Sequence, residues 1–255
     1  HSLIILLASD KGLAGPFNSA IIRKFEKFLE QKNVDIRDSK YVFAAIGKKA
    51  ARYLEHRLPA RIRQLAEKEG TSNIEQSFVR IGDFTTLEEI KPISDFVTQG
   101  FLEKKWDEVI VFSTHFRSAL KQEPLERKIF PVDFVSFRET AEEIIPETGR
   151  FSELRAENRM TLLGKESRKP AEYIIEPSPA ELLAELVPHL IYMQMYQLIL
   201  EANASEHAAR RLAMKNASDN AEELAENLTL VYNKARQAAI TREIIEITAG
   251  AESPS

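Results

Sequence analysis

Three observations predict an α/β fold in which a mostly parallel sheet domain is followed by one very long C-terminal helix. Short apolar runs alternate with segments of helical period between residues 2 and 132, the pattern of strands joined by crossover helices. No proline or glycine interrupts the chain from His189 to Ala249. Within that stretch Met214, Ala217, Ala221, Leu224, Leu228, Val231, Ala235 and Ala238 alternate spacings of three and four, the heptad signature of a left-handed coiled coil.

The elements follow in order. Ser2 to Ser9 reads as a buried strand, Asp10 to Phe17 as a glycine-bearing turn, and Asn18 to Gln31 as a helix with Ile21, Ile22, Phe25 and Leu29 on one face. Tyr41 to Ile46 is a second apolar strand, closed by Gly47 and followed by a basic helix from Lys48 to Arg57. Gln76 to Ile81 is a weaker strand, Leu87 to Leu102 a helix, and Glu108 to Ser113 a strong strand. Lys128 to Val132 and Tyr173 to Ile175 are candidate edge strands. Residues 138–170 mix charge, glycine and proline without periodicity and are expected to form an irregular, solvated excursion. Pro177 and Pro179 punctuate the chain before a helix from Ala180 to Val187, which Pro188 is expected to kink or restart, because proline lacks the donor an interior helical position needs. Residues 1–176 are thus read as the sheet domain and 177–255 as the long helix.

At about 1.5 Å per residue the stretch from His189 to Gly250 extends about 90 Å, well beyond the width of a small domain. It cannot be wholly buried in its own globule. Half of its seam is alanine, which lets two helix axes approach closely while burying little area per residue. No other segment matches it in length, so the seam is expected either to dimerise or to meet a helix upstream of residue 1. The residue there is His1, standing one residue before an apolar strand, and the natural beginning is expected to be missing. An ordinary bundle helix would need several partner helices that the α/β part does not supply. Beyond Ala238 the apolar positions move to Ile240, Ile244, Ile245 and Ile247, so a different surface is contacted near the tip.

Composition narrows the function classes. The 255 residues carry a formal net charge of −4, which gives no basic face for nucleic acid, and no nucleic-acid partner is expected. There is no cysteine, which excludes disulfides, thiolate nucleophiles and Cys-based metal sites. Apolar runs such as Leu3 to Ala8 fall far short of a membrane span. His1, His56, His115, His189 and His207 lack metal-ligand spacing, and no serine sits in a nucleophile elbow, so no catalytic residue, metal or cofactor is expected. The turn Ser9 to Gly15 lies between strand and helix, where a phosphate cradle would lie, but it matches neither the dinucleotide fingerprint nor the P-loop and reads as a structural turn. Glu88-Glu89 and Glu142-Glu143 read as solvated faces. From Asn227 to Arg242 there is no acidic residue, while Lys234, Arg236 and Arg242 form a basic collar suited to acidic loops of a partner, or simply a solvated positive face.

At these residues the sequence resembles the gamma subunits of bacterial F-type ATP synthases. The resemblance is carried by Ala204 to Arg210 (ASEHAAR), Ala213 to Ala221 (AMKNASDNA) and Leu230 to Thr241 (LVYNKARQAAIT). The ending Glu243 to Ile247 with Gly250-Ala251 and the turn SDKGLAG from Ser9 to Gly15, with Phe17-Asn18, add to it. It runs from about residue 3 to 251. It implies a Rossmann-like domain beside an antiparallel coiled coil made from an N-terminal and a C-terminal helix, the latter present here and the former absent. It implies a central-stalk rotor that couples rotation of the membrane c-ring to conformational change at the catalytic beta subunits, on the cytoplasmic face of the cell membrane as a peripheral subunit. The implied partners are the alpha and beta subunits, the epsilon subunit, the c-ring and the N-terminal helix. Residue by residue, Arg236, Gln237 and Thr241 match positions that engage the acidic catch loop of beta. Tyr173 and Glu176 fall at the foot that meets the c-ring, although Ile175 stands where an aromatic is common. Position 14 is Ala where many relatives have Cys, so the thiol control of chloroplast relatives is not implied. The competing expectation is a coiled-coil adaptor or homodimer with a non-catalytic, nucleotide-like domain.

Overall fold

The computed structural model describes residues 1–34, 40–57, 74–79, 81–82, 85–132, 176 and 178–251. Their elements are β1 (Ser2–Leu7), α1 (Phe17–Gln31), β2 (Tyr41–Ile46), α2 (Lys48–Arg57), β3 (Ile74–Phe78), α3 (Leu87–Leu102), β4 (Glu108–Phe116), β5 (Gln122–Phe130) and α4 (Pro179–Ala251). The strands form one sheet in the order β3-β2-β1-β4-β5. β1 runs parallel to β2 and β4, and β2 parallel to β3, while β5 returns antiparallel along β4. The fold is therefore α/β with a mostly parallel sheet, as the alternation of apolar runs predicts.

Strand side chains alternate between faces, and the core divides accordingly. On one face Ile4, Leu6, Phe43, Ala45 and Phe112 meet α1 and α2 through Ile21, Phe25, Phe28 and Leu54. The aromatic rings there meet edge to face, with Phe25 5.3 Å from Phe112. On the other face Leu3, Ile5, Leu7, Ala44, Val109 and Val111 meet α3 and the first half of α4. Both faces are covered, which is why these strands read as continuous apolar runs.

Several boundaries differ from the sequence reading. β3 begins at Ile74 and ends at Phe78, two residues earlier at its start than the apolar pattern suggests and three at its end. β5 is longer than the Lys128–Val132 candidate, because its outer half is polar and pairs with β4 through the backbone. Glu89 does more than face solvent: its carboxylate accepts from the Thr86 N–H (3.1 Å), while Thr86 caps Glu89 N, closing a capping box at the start of α3. The long helix does not restart at Pro188. One element of 73 residues runs through it. A single proline forfeits one intrahelical hydrogen bond, and here many residues of helix on its C-terminal side offset that loss. The excursion at 138–170, with Glu142-Glu143, and the edge-strand candidate at 173–175 lie outside the described residues.

Candidate functional site

α4 is one helix in two environments. Ile191, Met195, Leu198, Ile199, Ala202 and Ala209 are buried against the sheet and α3. Their spacing keeps one stripe facing inward for five turns. From Met214 to Thr248 every side chain is exposed. The seam residues Met214, Ala217, Ala221, Leu224, Leu228, Val231, Ala235 and Ala238 all lie on this free half, with Leu228 and Val231 59% and 63% exposed. The apolar tip residues Ile240, Ile244, Ile245 and Ile247 are exposed as well. An apolar row of this length without cover is the signature of a surface that another element covers.

Arg236, Gln237 and Thr241 sit near the far end of the free half and are exposed. At about 100° per residue Arg236 and Gln237 fall on the flank of the helix away from the seam, while Thr241, three residues past Ala238, borders the seam's edge, so the seam can be covered while Arg236 and Gln237 stay available. The Thr241 hydroxyl donates to the Gln237 carbonyl (2.8 Å), which fixes its rotamer one turn from Arg236 and Gln237. Lys234 and Arg242 flank them. The collar is thus a surface of cations and amides with no buried side chain, suited to contacts that form and break.

Where the helix leaves the domain, the glycine turn supports it. The Arg210 Nε donates to the Gly12 carbonyl (3.3 Å), and Arg210 pairs with Glu206 one turn earlier. Leu13 and Gly15 have φ of 62° and 53°, the left-handed conformation that lets the turn fold back on itself. The Ser9 N–H donates to Asn18 Oδ1 (3.0 Å) and the Ser9 hydroxyl to the Lys11 carbonyl (2.6 Å). At the start of α2, the backbone N–H of Lys48 donates to the Asp10 carboxylate (2.7 Å). A carboxylate of the chain itself thus occupies the place at a helix N-terminus where a phosphate would sit. A cleft of about 280 Å³ lies beside it, lined by Asp10, Lys11, Asn203 and Glu206. Gly47, at φ 92°, closes the same corner: a Cβ there would come within 1.9 Å of the Ala8 carbonyl oxygen.

A buried polar cluster was not singled out in the sequence. His115 Nδ1 lies 2.6 Å from Glu201 Oε2, and Arg127 Nη2 lies 3.8 Å from the same oxygen. The signal was present: Glu201 interrupts the apolar stripe of α4, and His115 continues the inward-facing row Val109, Val111, Ser113 of β4. A carboxylate and an imidazole on core-facing positions imply a mutual partner.

Of the foot residues, Glu176 is exposed and Tyr173 lies outside the described residues. Among the described residues no group of His, Asp and Glu is arranged to hold a metal ion, and no helix is long and apolar enough to cross a membrane. Among the described residues, two carboxyls near the surface are shifted by their neighbours. Hydrogen bonds from Lys121 and Arg117 hold the Glu123 carboxyl below its ordinary value, and Lys105 does the same for Glu103.

A family model described as ATP synthase matches residues 1–253. The ATP synthase gamma chain of Synechococcus sp. (strain ATCC 27144) is 34% identical over 250 residues, covering 98% of this chain and 74% of the relative. That of Prochlorococcus marinus (strain NATL1A) is 35% identical over 252 residues, covering 98% and 75%. Among solved structures, a chain of the Tetrahymena thermophila mitochondrial ATP synthase central stalk and c-ring is similar with a TM-score of 0.54 at 19% identity, over 85% of this chain and 76% of that one. A chain of the Euglena gracilis mitochondrial ATP synthase, from its OSCP, F1 and c-ring assembly, has a TM-score of 0.55 at 17% identity, over 99% and 75%. At these identities the structural likeness speaks for the fold.

Proposed function

This chain belongs to the ATP synthase gamma-chain family, and we propose that the free half of α4 is the part of the rotor shaft that works inside the catalytic hexamer. As a gamma chain it is a non-catalytic subunit of the ATP synthase, part of the rotary central stalk. The observation that carries the shaft reading is the uncovered heptad seam from Met214 to Ala238 on an unbroken helix. An antiparallel N-terminal helix of the same subunit covers that seam and leaves the opposite flank to the alpha and beta subunits.

On that flank Arg236 and Gln237, with Thr241 at the seam's edge, engage the acidic catch loop of beta. The pair of helices is asymmetric, so at any angle it presents different side chains to three beta subunits. Each contact stabilises one conformation of its beta subunit over another, and this differential energy is what couples rotation to nucleotide affinity. Charge-assisted contacts at exposed positions suit the task, because each must break as the shaft turns. At the other end, Tyr173 and Glu176 belong to the foot that meets the c-ring, with the epsilon subunit beside it. The chain is then peripheral, held at the cytoplasmic face of the membrane by the ring and not by a span of its own.

The test is Arg236→Glu combined with Gln237→Ala in a reconstituted complex. Both ATP synthesis and hydrolysis fall if the collar engages beta. Unchanged turnover rejects the catch-loop role.

A further inference from the structure

We infer that His115, Arg127 and Glu201 form a keyed joint that fixes the rotational register of the shaft helix on the sheet domain and carries torque between them. The inference rests on the rotor reading above. Torque that enters at the sheet domain must reach α4 through the packed half of that helix, which lies chiefly across β4. Most of that contact is apolar: Ile191, Met195, Leu198, Ile199 and Ala202. Apolar packing is non-directional, and a loaded helix can shift ridge by ridge across it at modest cost.

The charged cluster is different. Glu201 Oε2 is held from β4 by His115 Nδ1 at 2.6 Å and from β5 by Arg127 Nη2 at 3.8 Å. Its other oxygen accepts from Gln197 Nε2 at 2.8 Å, one turn back on the same helix. The carboxylate is therefore locked to its own helix and gripped by two strands. The three side chains are 7%, 8% and 9% exposed, so water does not stand ready to replace a broken contact. A slip of the helix would strand charges in the interior, an outcome far costlier than sliding an apolar surface. The joint also sits on the polar stretch of β4, past Val109 and Val111, where the strand runs out toward the free half of α4. Other polar ties of this half, Asn203 to Thr85 (2.6 Å), Tyr192 to the Leu87 carbonyl and Arg210 to the Gly12 carbonyl (3.3 Å), reach α3, its preceding loop and the glycine turn.

The experiment measures ATP hydrolysis and ATP-driven ion pumping together, in vesicles carrying the assembled complex with each variant chain. Glu201→Gln keeps the shape and an oxygen to accept the hydrogen bond from Gln197 while removing the charge. The triple variant His115→Leu, Arg127→Leu, Glu201→Met leaves no lone charge buried and is read wherever Glu201→Gln fails to assemble. The expected result is a loss of pumping per ATP hydrolysed, with hydrolysis retained, and an unaltered ratio in His115→Lys, which places a cation opposite Glu201. An unchanged ratio in the triple variant overturns the joint, and so does a proportional fall of both activities, which is what a merely structural role gives. If the unaltered chain fails to join alpha and beta subunits or to support pumping at all, the rotor reading itself fails.

Discussion

The two halves of α4 share one backbone and divide its physics between them. The half from Ile191 to Arg210 uses large branched and aromatic neighbours, a buried Arg127–Glu201 ion pair and hydrogen bonds to α3 and the loop before it, and its stability is present in the chain as it stands. The half from Met214 to Thr248 uses alanines and widely exposed leucines, and nothing in the chain's described residues covers it. A helix of alternating Ala and Leu gains little until a second helix closes on it, because each alanine removes so little area from water. One half is therefore held in place by its own chain, and the other is left uncovered by the described residues.

Four substitutions break or sharpen that contrast. The largest effect belongs to Glu201→Leu, which leaves His115 and Arg127 buried without their shared carboxylate. Loss of one member of a buried ion pair costs about 3–5 kcal/mol, to be read as a shift in the urea unfolding midpoint at constant slope. Next, Leu198→Ala opens a cavity under the packed half and costs about 2–5 kcal/mol. Its counterpart Leu228→Ala changes the stability of the chain alone by less than about 0.5 kcal/mol, yet weakens the assembled complex. Equal costs for these two in the isolated chain would erase the distinction between the halves. Thr86→Ala removes the cap of the helix against which the packed half rests and costs about 1 kcal/mol by the same unfolding measurement.

The smallest effect lies at the hairpin tip. Glu123 has its folded pKa held below the ordinary 4.5 by Lys121 and Arg117. Its contribution is therefore fully present above the unfolded value and is lost as pH falls through the folded one. Glu123→Gln makes the acid limb of the stability profile slightly shallower and leaves the limb above neutrality unchanged. A change confined to alkaline pH would contradict the assignment.

What could be read in the residues follows the same division. β1, β2 and the parallel core of the sheet were legible because both faces are buried and the apolar runs are continuous. α3 was legible because its period is unambiguous. β5 was read too short, since Gln122 to Glu126 offers no apolar signal and is held by backbone pairing to β4. Pro188 was read as a kink or a restart because the local rule weighs one missing donor without the long helix that follows it, and the restart does not occur. The His115–Glu201 pair was missed because its members lie 86 residues apart and meet only through the topology that sets β4 under α4. The collar was legible as charge, and its residues are exposed on the free half of α4.

The most direct measurement is rotation itself. The sequence has no cysteine, so Lys27→Cys, on the exposed side of α1, gives a unique attachment point for a visible probe. With the catalytic hexamer anchored and ATP supplied, a chain that acts as the shaft turns the probe continuously in one direction while hydrolysis proceeds. A probe that stays still during steady hydrolysis by the same assembled complexes would contradict the account.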